Sequence, residues 1–319
     1  MQALVPDSER PGRVRLAIVE EPQPGEVEAV VEVAAFSPNR GETLLLERPR
    51  PGWRPGKDVA GVVVRAAADG SGPPAGARVV GHAEQGGWAE RVAVPTSRLA
   101  LLPAEVPFAA AAALPLAGLT ALRLARVSAP LATRTVLLTG ASGGVGHYFV
   151  ELAAAQGALV TVVSGSRDRA QRLCELGAAA AVSNVAEAVG PFEVALDSVG
   201  GEVMREAWHK LERRGLLVWF GQASRAAPAL DFFDFDGAMS ATIRKFDYMD
   251  STHSEAADLN TLVRLLSAGH LHPEIGLLDD WERAGEAIEA LLARRVRGNA
   301  VLTVGERDHA ARRRRSRGA

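Results

Sequence analysis

The stretch Thr135-Val136-Leu137-Leu138-Thr139-Gly140-Ala141-Ser142-Gly143-Gly144-Val145-Gly146 constrains this chain more than any other. A β-branched, apolar run breaks into a glycine-rich turn, and the residues from His147 to about Gln156 read as a helix. A second apolar run, Leu159 to Val163, follows at once. Strand, tight turn, helix and strand make the first half of a nucleotide-binding βαβ unit. Without Cβ atoms, Gly143, Gly144 and Gly146 let the backbone turn sharply and come close to a pyrophosphate. The helix behind them points free N–H groups and its positive dipole end at that anion. Ser142, Gly143, Gly144, Val145 and Gly146 are therefore expected cofactor contacts, and a dinucleotide is the expected ligand.

Ahead of this unit the texture differs. Val27 to Ala34, Val59 to Val64, Arg78 to Gly81 and Trp88 to Val94 read as short strands separated by Pro and Gly. That density suggests a small antiparallel barrel or sandwich. Phe108 to Val127 reads as helix broken near Pro115. Beyond Thr135, helices at Arg167 to Leu176 and Glu202 to Leu211 alternate with strands at Val194 to Asp197 and Leu216 to Gly221. About five parallel strands in a doubly wound sheet are expected. After Asp231 the pattern weakens, with Phe232, Phe233 and Phe235 close together. Leu259 to Ala268 and Trp281 to Ala293 read as helices, and Asn299 to Val304 as a last strand. The basic run from Arg307 to Ala319 reads as a solvated terminus rather than a polyanion-binding arm.

At 319 residues, two domains are the default. A net charge of −2 favours neither a nucleic-acid partner nor a membrane surface. The longest apolar stretch, Phe108 to Leu122, is interrupted by Pro115 and too short to span a bilayer. The N-terminal residues lack the charged leader and long apolar core of a signal peptide. The single cysteine, Cys174, permits no intramolecular disulfide and fits a reducing, cytoplasmic setting.

Several short motifs follow one another in a telling order. Ser37-Pro38-Asn39 comes first, then Pro55-Gly56-Lys57-Asp58-Val59-Ala60-Gly61. Gly76-Ala77-Arg78-Val79-Val80-Gly81 and Gly86-Gly87-Trp88-Ala89-Glu90 follow, then Leu114 to Ala121. After the glycine turn come Leu196-Asp197-Ser198-Val199-Gly200-Gly201 and Arg297-Gly298-Asn299-Ala300-Val301-Leu302. In this order the chain resembles the medium-chain dehydrogenase/reductase superfamily, in its zinc-independent quinone oxidoreductase and enoyl reductase branch. The resemblance implies an α/β protein with a GroES-like β-barrel catalytic domain beside a Rossmann doubly wound parallel-sheet domain. The barrel would take residues 1–118, completed by 260–305, and the Rossmann domain 119–259, leaving 306–319 as the basic tail. It also implies a homodimer, with Asn39 lining the nicotinamide site and Thr120 and Asn299 contributing to cofactor binding.

The second strand of the βαβ unit ends Val163-Ser164-Gly165-Ser166-Arg167-Asp168-Arg169, without the acid that holds the ribose hydroxyls in NAD-specific domains. A 2′-phosphate calls instead for hydroxyls and guanidinium forks. Ser166 and Arg169 fall where related NADPH enzymes carry Ser or Thr and Lys, with Arg167 in reserve, so NADPH is expected over NADH. Ser164, Val199 and Gly221, at the ends of successive strands, complete the expected contacts.

At the positions where zinc relatives carry Cys, His and Cys, this chain has Ser37, Lys57 and Leu116, so no metal is expected. Hydride transfer would then go to an acceptor that activates itself, a quinone or an α,β-unsaturated carbonyl compound. An enone also needs an oxygen-side donor and a proton. The tyrosine that related enoyl reductases place near Leu44 to Leu46 is absent, and Asn39 and Lys57 remain as catalytic candidates. Trp53 and Trp88 read equally as pocket walls or as core. Two alternatives stand beside this reading. One is enoyl reduction in tailoring a secondary metabolite such as an aromatic polyketide. The other is a non-catalytic NADPH-binding sensor or RNA-binding protein.

Overall fold

The computed structural model describes residues 1–233 and 238–305. The chain divides into two compact units. One comprises Met1–Leu119 and the residues from His253 onward, the other Thr120–Thr252.

The first unit begins with β1 (Gln2–Pro6) and β2 (Val14–Ile18), an antiparallel pair of their own. It continues through β3 (Glu28–Ser37), α1 (Arg40–Leu45), β4 (Asp58–Arg65), β5 (Arg78–His82), β6 (Arg91–Pro95), β7 (Leu99–Leu101) and α2 (Phe108–Ala112). Helix α3 (Pro115–Val127) crosses the boundary into the second unit. The expected break at Pro115 is real, and proline sits at the helix start because its missing N–H is an orphan there anyway.

The second unit runs β8 (Thr135–Leu138), α4 (Gly144–Ala154), β9 (Leu159–Val163), α5 (Arg167–Glu175), β10 (Ala180–Val182), β11 (Phe192–Asp197), α6 (Gly201–His209), β12 (Leu211–Trp219) and β13 (Thr242–Lys245). Every neighbouring pair is parallel, in the order β10-β9-β8-β11-β12-β13. The sheet is a doubly wound Rossmann sheet of six strands, one more than the sequence suggests. The central strands are apolar and buried on both faces, as helix-covered parallel strands must be. The outer strands escape sequence reading for the opposite reason. All four residues of β13 are exposed, so no hydrophobic run marks it.

The chain then returns to the first unit with α7 (Glu255–Ser267), β14 (Ile275–Asp280), α8 (Ala284–Leu292) and β15 (Asn299–Thr303). β3 is the spine of a mixed seven-stranded sheet. One of its edges carries β4; the other carries β6 along its first half and β15 at its end. The last strand thus completes a sheet begun by the first segment, and β14 adds to β15 in parallel. Phe36, stacked on Trp88 at 5.7 Å, lies in the core of this unit with Val31, Val59, Trp281 and Ile288. Trp88 is therefore core, fully buried; Trp53 packs against the same cluster, half-buried. Phe232 and Phe233 are exposed and meet edge to face, while Phe235 and the arginine-rich tail lie outside the described residues.

Candidate functional site

In the second unit the glycine turn sits at the carboxyl edge of the parallel sheet, beside the turn that follows β11. The Thr139 N–H donates to the Leu196 carbonyl at 3.0 Å, and Ser198 Oγ donates to the Thr139 carbonyl at 3.3 Å. Between the two turns lies the buried Asp197 carboxylate. It accepts from Thr139 Oγ1 at 2.6 Å and from the Gly200 N–H at 2.7 Å. Burial pushes the Asp197 carboxyl up, while these hydrogen bonds hold it down. The left-handed residue of the turn is Gly140, at φ +62°, and a Cβ there would stand 2.3 Å from Ser198 Oγ. Gly146 serves for close approach, since a Cβ would lie 2.1 Å from the Ala141 carbonyl oxygen. The sharp turn attributed to Gly143, Gly144 and Gly146 thus belongs to Gly140. Helix α4 starts at Gly144, three residues ahead of the expected His147. Gly143 caps it without a side chain, so the first-turn N–H groups have no side-chain acceptor from the cap. His147 and Tyr148 are fully buried in α4, and His147 Nδ1 donates to the Gly143 carbonyl at 2.9 Å.

The ends of β9, β11 and β12 bring further expected contacts to the same edge. Ser142 Oγ and Ser164 Oγ are 2.7 Å apart, and Ser164 Oγ donates to the Ser166 carbonyl at 3.3 Å. Ser166 is the N-cap of α5, and its hydroxyl makes no capping bond among the described residues. Arg167 is exposed and Arg169 half-buried in the first turn that follows. Val199 and Gly221 stand in the turns after β11 and β12. These turns are joined by Ala223 N–H donating to Ser198 and Ser224 N–H donating to Val199, each at 2.9 Å. Thr120 is buried within α3.

The first unit holds a different kind of site. Asn39 caps α1 in a full capping box. Its Oδ1 accepts from the Glu42 N–H at 3.0 Å, and Glu42 Oε2 accepts from the Asn39 N–H at 3.2 Å and from Asn39 Nδ2 at 2.6 Å. Glu42 Oε1 accepts from the Gly56 N–H at 2.7 Å, which ties α1 to the loop ahead of β4. Glu42 is fully buried, and burial lifts its carboxyl to about 7 against the pull of those N–H donors and of Lys57. Half-buried Lys57 leads directly into β4. Its carbonyl accepts from the Ala83 N–H at 2.7 Å, which fixes its backbone against the end of β5. Asp58, next in the chain, is buried, and Leu116 donates its N–H to Oδ1 at 3.1 Å. Burial, then the nearby Glu42, raises the Asp58 carboxyl well above the ordinary range. Opposite Asp58 in the ladder is His82, whose Nδ1 lies 2.7 Å from Glu255 Oε2 and whose Nε2 lies 3.9 Å from Asp58 Oδ1. Burial lowers the His82 pKa, partly offset by Glu255. Asn299 opens β15 and donates its Nδ2 to the Glu274 carbonyl at 3.3 Å.

Residues 144–268 match a family model described as zinc-binding dehydrogenase. The quinone oxidoreductase of Salmonella typhimurium is 29% identical over 308 residues, spanning 88% of this chain and 92% of its own. The fold of the Escherichia coli quinone oxidoreductase complexed with NADPH matches with a TM-score of 0.85 at 24% identity, covering 95% of this chain and all of that one. These matches support the resemblance to the medium-chain dehydrogenase/reductase superfamily and its quinone oxidoreductase branch. A mycobacterial protein complexed with NADPH matches equally well, with a TM-score of 0.85 at 25% identity over 95% of this chain and 99% of its own.

The residues expected at the zinc-ligand positions, Ser37, Lys57 and Leu116, are engaged otherwise in the structure. Ser37 Oγ donates to the Ala300 carbonyl at 2.7 Å, inside the mixed sheet. Lys57 brings an ammonium rather than a lone pair, and Leu116 offers its backbone N–H to Asp58. Of the two catalytic candidates, Asn39 is committed to its capping box and Lys57 stands beside buried acids. Sequence reasoning passed over Glu42, Asp58, Asp197 and Glu255. Glu42 was detectable, because Asn39-Arg40-Gly41-Glu42 spells a capping box. Asp58 and Asp197 lie inside recognised motifs, and burial alone distinguishes them. Glu255 carries no local signal, since its partner His82 is distant in the chain.

Proposed function

We propose that this protein is a zinc-independent, NADPH-dependent oxidoreductase that reduces a quinone or an α,β-unsaturated carbonyl compound. The cradle at the carboxyl edge of the Rossmann sheet carries the reading. The close approach at Gly146 and the glycine cap of α4 fit a pyrophosphate, as backbone N–H groups at a helix start do. Ser166 and Arg169, at the start of α5, supply a hydroxyl and a guanidinium for a 2′-phosphate. When bound, NADPH supplies the hydride; the protein supplies binding, orientation and protons. The Thr139–Asp197–Gly200 bonds hold the two turns of the cradle in fixed relation. Val199, Gly221, Thr120 and Asn299 are carried into this reading as cofactor contacts by resemblance.

Ser37, Lys57 and Leu116 offer no thiolate or imidazole for a zinc ion that would polarise an alcohol. This favours acceptors whose own conjugation makes them electrophilic. The quinone oxidoreductase names of the relatives agree with that class. As part of the same reading the protein is a homodimer, which light scattering would check. The RNA-binding alternative rests on the arginine tail, outside the described residues.

The test is NADPH oxidation, followed by its absorbance, against 1,4-benzoquinone, 9,10-phenanthrenequinone, an alkenal and crotonyl-CoA, with NADH in parallel. Turnover with NADPH and a quinone or alkenal is the expected result. Absence of NADPH binding would overturn the reading of the cradle.

A further inference from the structure

The chain passes between the two compact units twice, going out between Leu119 and Thr120 and returning between Thr252 and His253. Any movement of one unit against the other is absorbed in the chain near these two crossings. Each crossing is tied, within a helical turn, to the same buried pair in the first unit. On the outgoing side α3 starts at Pro115, and Leu114 ahead of it has no side-chain oxygen with which to cap a helix. The acceptor comes instead from β4, where Asp58 Oδ1 takes the orphan Leu116 N–H at 3.1 Å. On the returning side α7 is capped by its own Ser254, whose hydroxyl accepts from the Ala257 N–H at 3.2 Å. Glu255, the first residue of that helix, is left to reach sideways, and its Oε2 stands 2.7 Å from His82 Nδ1.

The shared pair is Asp58 and His82, which face one another across the antiparallel ladder of β4 and β5. Their side chains keep 3% and 1% of their surface exposed, and His82 Nε2 stands 3.9 Å from Asp58 Oδ1. With Glu255 on one side and Glu42 near Asp58 on the other, they make a buried line of acids around one imidazole. Burial lowers the His82 pKa, so the ring bonds Glu255 as a neutral donor through Nδ1–H. Arg98 flanks the outer end of the line, with Nε 3.9 Å from Glu255 Oε1. The two helices also meet directly. A Cβ on Gly118 would stand 2.9 Å from Leu262 Cδ1, so a glycine lets α3 come close to α7.

We propose that the Asp58–His82 pair is a single anchor for both chain crossings, so that the starts of α3 and α7 loosen and tighten together. The inference rests on the first unit alone and stands apart from the reductase reading. Its physical reason is burial. At a surface contact, water takes the place of a lost partner and each crossing frays by itself. Here the groups are closed off from solvent. Loss of the Glu255 carboxylate leaves the imidazole N–H without an acceptor, and the end of β5 has to move to find one. Asp58 lies opposite in the ladder and moves with it, and the Leu116 N–H loses its acceptor in turn. Two separate caps would give two independent joints; one shared pair gives a two-stranded hinge with a common base. Asp58 and His82 act here as positioning residues for the two crossings.

Amide hydrogen exchange on the intact protein tests the coupling, because it reads the opening of each helix start separately. Glu255→Ala removes the His82 acceptor at a helix start that Ser254 still caps. It should speed exchange about 10-fold at the start of α7, from Ala257 to Thr261, the scale of one lost hydrogen bond. At the other crossing, which Glu255 does not bond, exchange from Leu116 to Thr120 should rise about 5-fold. Asp58→Ala should act in reverse, speeding exchange at Leu116 and also at the start of α7. Glu255→Gln, which keeps an oxygen for the imidazole, should restore both sites. Amides of β8, β9 and β11 in the second unit should stay unchanged, which separates the effect from global unfolding. Faster exchange confined to α7 in Glu255→Ala would overturn the proposal, as would an effect confined to α3 in Asp58→Ala. Where Asp58→Ala does not fold, Glu255→Ala decides by itself.

Discussion

The cofactor cradle and the buried acid line are both polar sites, but they are made from different materials. The cradle is built from backbone. Gly140 and Gly146 contribute the absence of atoms, and one buried carboxylate, Asp197, holds two turns together. The acid line is built from side chains drawn from α1, β4, β5 and α7, and its properties are set by burial and mutual charge. A backbone site tolerates no added atom, whereas a side-chain site tolerates isosteres but is sensitive to charge and pH. The two should therefore fail in different ways.

The largest effect should come from crowding the cradle. Gly146→Ala places a methyl 2.1 Å from the Ala141 oxygen, and the required shift of α4 should weaken NADPH binding by about 100-fold in a fluorescence titration. A weaker effect than that of a side-chain change such as Arg169→Ala would break the contrast.

The acid line should show itself next, in stability against pH. Glu42 has a folded pKa of about 7 against an ordinary 4.5, so between these values the unfolded chain ionises first. Stability should fall as pH rises from 4.5 to 7 and then level off, by on the order of 3 kcal/mol from this group. His82, with its pKa lowered, acts in the opposite sense and removes stability as pH falls below its ordinary value. Glu42→Gln should flatten the first slope in thermal melts across pH and leave the His82 limb in place. An unchanged slope would mean that Glu42 is not the titrating group.

A smaller effect is expected at the link inside the cradle. Asp197→Asn leaves one of its two donors, Thr139 Oγ1 or the Gly200 N–H, facing an amide instead of an oxygen. The cost should be about 2 kcal/mol of stability by denaturant titration, with a parallel loss in NADPH affinity. Arg169→Ala should do least. We expect about a 10-fold rise in KM for NADPH, the worth of one charge-assisted hydrogen bond, and no change for NADH. An equal effect on both cofactors would place Arg169 away from the 2′-phosphate.

The sequence by itself determined most of the Rossmann unit and the cradle's location, because those signals are local. β-branched runs, a glycine turn and a helical period lie next to one another in the chain, so neighbouring residues suffice to read them. It did not show which glycine turns the chain, since Gly140 owes its role to the Ser198 side chain across the sheet. It also missed β13, whose exposed residues carry no apolar pattern. The acid line was decided by tertiary structure alone. Asp58 and His82 become neighbours only when β4 pairs with β5, and Glu255 joins them only when the chain returns after the Rossmann unit. A carboxyl acquires a raised pKa through burial, and burial belongs to the folded molecule rather than to any stretch of its sequence.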